Sequence, residues 1–411
     1  MLAGVRSLLR HNAAYRRLWL AQAVSLTGDW FTLIALAVLV SRDTGGSGLA
    51  VSTLALVQIL PWVVMGPRSG VLADRFDRRR LLVASDVARA VLVLLLVPAA
   101  ESGRIVPILV LALLHFTVAT VFEPARAALV PRLVEPRELV TATTLSSVTW
   151  SVMLAFGGAL GGSVLSRVGI RAAFLIDAAS FVASAALIVG IRGGASPGAA
   201  AGAAREAIAF RDGIHWAIAN PPVGAAALVK MINGVAQVDT FIVLYATRVF
   251  AIGEGGALSV GLLMAAFGVG AVLGPALLNR WNDGSVPRMR RLVVVSSALI
   301  GAGLFALGGA SSLAAAALGV MLRGMGGSAN WTFSTIILQK GVPDRLLGRL
   351  AALDLMLANS TAMAFALTWG ATIDRVGLRP AALGAASVTL LPLLLWAASL
   401  PALERREASG S

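Results

Sequence analysis

Among the charged residues inside long apolar runs of this sequence are Asp29, Glu123, Asp239 and Arg323. An ionisable group among apolar side chains is costly, and within a membrane such groups usually face a cavity or a partner. Low dielectric favours the neutral form of a carboxylate, so Asp29, Asp239 and Glu123 are candidate proton carriers. Asp29 lies about eleven residues into its apolar run, roughly 16 Å from the run's start at ~1.5 Å per residue. No basic residue lies within one turn of it. Two roles are open to it, proton carriage or a structural ion pair with Arg323 or Lys230.

Two further pairs have i,i+3 spacing, Asp86 with Arg89 and Glu123 with Arg126. That spacing puts each pair on one helix face. With Arg68, Asp74 and Asp354 they form either a latch that pairs in one conformation and parts in another, or static charge compensation. Trp30, Trp62, Trp150, Trp331 and Trp369 also fall inside apolar runs. Trp30 and Trp331, with Arg323, are the candidates for contact with a flat, lipophilic substrate; packing is the reading for the others.

Other chemistries find no support. There is no cysteine, and His11, His115 and His215 share no metal-ligand spacing. His115 reads as a core residue. No P-loop, H-E-x-x-H or nucleophile elbow appears. Neither an enzyme, a metal nor a cofactor is expected. The net charge of +14 could suggest nucleic acid, but that requires a basic patch on a soluble face. Here the basic residues sit mainly in short segments between apolar runs.

The elements that must position these residues are membrane-spanning helices. Apolar residues make up 58% of the 411 and charged residues 13%, with a mean hydropathy of +0.84. Soluble domains carry roughly 45–50% apolar and ~25% charged residues. A span needs ~20 apolar residues, and the runs fit twelve spans, at 18–40, 49–72, 81–100, 105–130, 139–166, 171–191, 223–250, 257–279, 291–310, 312–340, 347–373 and 380–401. Residues 1–191 and 223–411 form two six-helix bundles, joined by a linker at 192–222 with one surface helix. Lys and Arg favour the segments on the side of both termini by about three to one, which predicts that termini and linker are cytoplasmic. No cleavable signal peptide is apparent; Leu2 to Tyr15 is a basic, amphipathic lead-in.

The halves repeat. Arg167-Val-Gly-Ile-Arg171-Ala-Ala173 recurs as Arg375-Val-Gly-Leu-Arg379-Pro-Ala381, and Asp29-Trp-Phe31 as Asp239-Thr-Phe241. Gly70 with Asp74-Arg75 answers to Gly274 with Asn279-Arg280. An even number of spans per half makes the copies parallel, which is a transporter architecture.

Gly70-Val-Leu-Ala-Asp74-Arg75-Phe-Asp77-Arg78-Arg79-Arg80 resembles the loop signature G-x-L-A-D-R-x-G-R-R-R of the major facilitator superfamily. Asp77 stands where that family has glycine, so the turn there is expected to differ. Gly157-Gly158-Ala-Leu-Gly161-Gly162 resembles the family's G-P-x-x-G-G antiporter motif, with Gly158 for the proline; ordinary small-residue packing is the alternative. Asn12 to Trp19 running into Gly28-Asp29-Trp30, Phe122-Glu-Pro-Ala-Arg126 through Val130-Pro131, and Gly169 through Asp177 resemble the branch of macrolide efflux proteins and the enterobactin exporter.

The resemblance implies an all-α membrane protein of twelve helices in two pseudo-symmetric parallel repeats. It implies that helices 1, 4, 7 and 10, bearing Asp29, Glu123, Asp239 and Arg323, line a central cavity. It also implies a gate containing Gly70, Asp74, Arg75 and Arg78, which Asp86, Arg89, Arg126 and Asp354 would join. The expected function is a proton-coupled exporter, an antiporter of a small amphipathic molecule such as a drug, a macrolide-like metabolite or a siderophore. Its expected partners are that substrate, protons and the bilayer of the cell (inner) membrane, with the chain a monomer. The alternative is a receptor or assembly subunit that keeps the fold without transport.

Overall fold

The computed structural model describes residues 2–191 and 210–410. Within those helices the side chains at 2–3, 66–68, 70–71, 73–74, 210–213, 344–345 and 407–410 lie outside the description. The described residues are mostly helical, with no strand. In lipid this is forced, because every backbone polar group must be satisfied within the protein.

In chain order the helices are α1 (Leu2–His11), α2 (Ala13–Asp43), α3 (Gly48–Arg75), α4 (Arg78–Glu101), α5 (Ile105–Leu133), α6 (Leu139–Val189) and α7 (Phe210–Ala219). Three short pieces follow, α8 (Pro221–Gly224), α9 (Met231–Val235) and α10 (Asp239–Leu244). Then come α11 (Ala257–Leu278), α12 (Val286–Gly308), α13 (Leu313–Gly341), α14 (Asp344–Val376) and α15 (Leu378–Gly410). Ten apolar stretches among the described residues are long enough to cross a bilayer. One of them, Pro136–Val189, holds two spans joined at Gly169. The more polar α13, of 29 residues, completes twelve.

The repeated Arg-Val-Gly segment explains two sharp joints. Gly169 has φ +79° inside α6, and Gly377 has φ +91° between α14 and α15. Both lie in the left-handed region that only glycine enters without strain. The sequence repeat is therefore a repeated hairpin between adjacent spans.

Polar side chains start and end the helices. Asn12 accepts from the Tyr15 amide at 2.8 Å, and Asp77 from the Arg80 amide at 2.8 Å. Asp77 thus departs from the family's glycine by serving as an N-cap for α4. Arg17 and Arg79 donate to the last carbonyls of α6, at Gly190 and Val189.

The chain forms two compact units. The first comprises residues 1–46, 56–202 and 251–261; the second 47–55, 203–250 and 262–411. Their division falls at 202–203, inside the expected linker, most of which (192–209) lies outside the described residues. Two short segments cluster across that division. In the first unit α2 packs along α6, and α4 against α5 and α6. In the second, α12 packs between α13 and α15. The outer faces are apolar, with Val87, Val91, Leu94 and Leu95 exposed on α4 and Leu390, Leu391, Leu394 and Leu395 on α15. Those faces suit lipid, while many polar side chains are buried inside.

The seventh span is not the continuous helix expected over 223–250. It is helical in pieces, with Ala236 to Val238 outside regular helix and a π turn at Tyr245–Val249. The break holds because side chains supply the hydrogen bonds it releases. Arg323 donates to the carbonyls of Ala236 and Asn233, and the Trp369 indole donates to Val235 at 2.8 Å.

Candidate functional site

In the first unit, α2, α4, α5 and α6 bring together five ionisable side chains: Asp29, Asp86, Arg89, His115 and Asp177. Asp86 is fully buried. Its Oδ1 accepts from Arg89 Nη2 at 2.5 Å and its Oδ2 from the Ser184 hydroxyl at 2.6 Å. The Arg89 guanidinium stands over the rings of Phe122 and Phe181, 4.7 and 4.2 Å from their centroids. Its other terminal nitrogen lies 3.7 Å from Asp29 Oδ2. His115 Nε2 lies 3.7 Å from Asp29 Oδ1. The Asp29 side chain is 33% exposed, whereas Asp86, Arg89 and His115 are buried.

Asp177 closes the cluster from α6. It is fully buried; its Oδ1 accepts from Ser180 at 3.2 Å, and its Oδ2 has no partner. Gly28, beside Asp29, packs directly on Asp177 and Ser180, leaving no room for a Cβ. Three carboxylates therefore share one permanent cation. A buried charge without a partner costs several kcal/mol, roughly.

Beside the cluster, a cleft of about 340 Å³ opens among α2, α5 and α6. Its lining includes Gln22, Glu123, Arg126, Thr143, Ser146 and Trp150. Arg126 forks onto both oxygens of Glu123, with one bond at 3.0 Å, and donates to Ser146 at 2.9 Å. One wall of the cleft is thus ionic and hydroxylated, and the exposed Trp150 supplies an aromatic face.

The second unit pairs its interior charges differently. Lys230 forms a buried ion pair with Asp354 and stands 4.5 Å from the centroid of the Trp331 ring. Asn233 donates to Asn330 at 3.0 Å, and Asn330 to Ser297 at 3.1 Å. Arg323 serves the carbonyls of the broken seventh span. Asp239 starts α10 just beyond the break, with an exposed side chain. Arg323 is the charged group that acts on it.

These placements regroup the expected residues. Asp86 and Arg89, expected with the gate, stand with Asp29. Asp354, expected in the same latch, pairs with Lys230. Gly70, Asp74 and Arg68 lie outside the described side chains; of the loop arginines, Arg75 is exposed and Arg78 buried. Trp30 packs its indole on Gly157, and its carbonyl lies 3.0 Å from where a Cβ on Gly161 would be. Gly162 meets the start of α11 at Gly261, and the Gly158 carbonyl faces the same glycine. The Gly157–Gly162 stretch thus lets α6 touch α2 and α11 backbone to backbone.

Three residues of these sites were missed. His115 read as core, and Asp177 drew notice only as the end of a motif; their spacing on separate helices carries no signal. Asp374 accepts from the amides of Gly48 and Leu49 at 2.6 and 3.0 Å and from the Ser47 hydroxyl at 3.0 Å. It caps α3 from more than three hundred residues away.

Relatives agree with this architecture. The chain is 31% identical over 183 residues to the uncharacterized MFS-type transporter YfiS of Bacillus subtilis, covering 44% of this chain and 43% of that protein. It is 27% identical over 178 residues to macrolide efflux protein A of Streptococcus pyogenes, 43% of this chain and 44% of that one. A longer match, 28% over 303 residues, joins it to the putative bacilysin exporter BacE of Bacillus amyloliquefaciens, 71% and 72% of the two chains. The first two matches span less than half the length of each relative. Among solved structures, the nucleoside transporter NupG superposes with a TM-score of 0.72 at 13% identity, over 94% of this chain and 98% of that one. A bacterial homologue of the iron transporter ferroportin gives 0.70 at 16%, over 95% and 99%. At these identities the likeness is one of fold. The family model described as transmembrane secretion effector matches residues 6–411, and the chain belongs to that family of multi-pass major facilitator transporters.

Proposed function

We propose that this protein is a proton-coupled exporter, an antiporter that moves a small amphipathic molecule out of the cell as protons enter. The observation that carries the reading is the cluster around Asp29. Three carboxylates around one arginine, one of them partly exposed, form a group that can gain and lose protons at small structural cost. Relatives named for macrolide efflux and for bacilysin export support the outward direction.

Asp29 is the first candidate for coupling. Asp239, its counterpart in the repeat, and Glu123 are the others. The cleft lined by Glu123, Arg126, Ser146 and Trp150 suits a molecule with polar groups at one end and a flat apolar body, with Trp331 and Arg323 as the second unit's candidates. The side holding most of the Lys and Arg is cytoplasmic, and the chain acts as a monomer in the cell (inner) membrane.

The test is transport in inverted membrane vesicles with an imposed pH gradient, using a panel of labelled amphipathic compounds. Accumulation of at least one compound should depend on the chain and collapse with a protonophore. Accumulation that needs the chain but ignores the protonophore would remove proton coupling, and none across a broad panel would favour the receptor alternative.

A further inference from the structure

Asp177 is as fully buried as Asp86, but where Asp86 has two hydrogen-bond partners it has one. Among the described residues, the charged groups that act on it are Asp29 from α2 and Arg89 from α4. Arg89 is already committed. It bonds Asp86 at 2.5 Å and leans toward Asp29 at 3.7 Å. The donor that reaches Asp177 is the Ser180 hydroxyl, and it reaches Oδ1 alone. An ionised carboxylate buried with one neutral donor and a bare second oxygen would carry the penalty of an unpaired charge. A neutral acid there needs only an acceptor for its O–H.

Thr32 lies one turn beyond Asp29, on the same face of α2. Its buried hydroxyl stands near Asp177 but, like Asp177 Oδ2, has no partner within hydrogen-bonding reach. Gly28 packs on Asp177 and so brings its neighbour Asp29 close, and the exposure of Asp29 gives the cluster a way out.

We infer that Asp177 is the proton-binding group of this cluster, holding its proton on Oδ2 and exchanging it with Asp29. In the exchange the O–H bond at Asp177 Oδ2 breaks as one forms at Asp29. Asp177 is left as a carboxylate and Asp29 as a neutral acid, so the charge of the cluster is unchanged. Arg89, released from Asp29, then compensates the buried charge. That this exchange drives transport rests on the exporter reading; that Asp177 holds a proton does not.

The test uses the full purified chain and needs no substrate. Infrared spectra at neutral pH should show a carboxylic-acid C=O band that shifts in deuterated water. Asp177→Asn should remove one such band, and Asp29→Asn should leave it. Ser180→Ala, which removes the hydrogen bond to Oδ1, should move the band to higher wavenumber, and this variant serves if Asp177→Asn fails to fold. Deuterium exchange at the band should be slower in Asp29→Asn than in wild type. A band unchanged by both Asp177→Asn and Ser180→Ala, or its absence from the wild-type spectrum, would overturn the assignment. Exchange equally fast without Asp29 would overturn that residue's part. If the band behaves as expected while vesicles transport nothing, the exporter reading fails and the proton site stands.

Discussion

Both units bury charge, and they balance it in different ways. In the first, Asp29, Asp86 and Asp177 gather around Arg89, with His115 beside them, and Asp177 keeps one oxygen bare. In the second, the buried cations have their own acceptors: Lys230 has Asp354, and Arg323 and Arg290 have backbone carbonyls. A balanced pair contributes to a fixed shape. An excess of acid contributes the proton-binding site we propose. The repeat that built both halves has therefore diverged in chemistry while keeping its hairpins, as the shared left-handed turns at Gly169 and Gly377 show.

Breaking one ion pair in each unit should give the largest effects. Lys230→Met strands Asp354 in the interior and should cost about 3–5 kcal/mol, read as unfolding of the purified protein in detergent. Adding Asp354→Leu should recover most of the loss and leave the pH dependence of transport as in wild type. Arg89→Met should cost a similar ~3–5 kcal/mol by stranding Asp86. Here Asp86→Leu should restore folding without restoring normal pH dependence. If the two double variants behave alike, the contrast between the units is wrong.

A smaller effect should follow from Arg323→Met. The carbonyls of Asn233 and Ala236 lose their donor, at about 1–3 kcal/mol. Amide exchange at 233–238 should rise more than elsewhere, and uniform protection across the seventh span would contradict the stapled break. The smallest effect belongs to Asp374→Ala, which removes the cap on α3. It should cost ~0.5–2 kcal/mol, seen as faster exchange at the Gly48 and Leu49 amides and no change in pH dependence.

Much of the architecture was legible in the residues. Long apolar runs fixed the spans, and Arg167-Val-Gly-Ile-Arg171 with its copy fixed two hairpins, because local chain geometry demands glycine there. The i,i+3 pairs Asp86–Arg89 and Glu123–Arg126 form as their spacing predicts, being contacts within one turn. What spacing does not encode is which helices meet. Asp86 finds Ser184, Arg89 leans to Asp29, and Lys230 pairs with Asp354 only through packing between distant segments. The break at Ala236 to Val238 was hidden for a related reason. The run is apolar and lacks proline, and its stability comes from Arg323 on another helix.

The central claim is that the unbalanced acid of the first unit carries the coupling, and Asp29→Asn tests it most directly. In inverted vesicles with an imposed pH gradient, this variant should lose pH-driven accumulation of a transported compound while retaining passive exchange of the same compound. Full pH-driven accumulation by Asp29→Asn would contradict the account and turn attention to Asp239, its counterpart in the repeat.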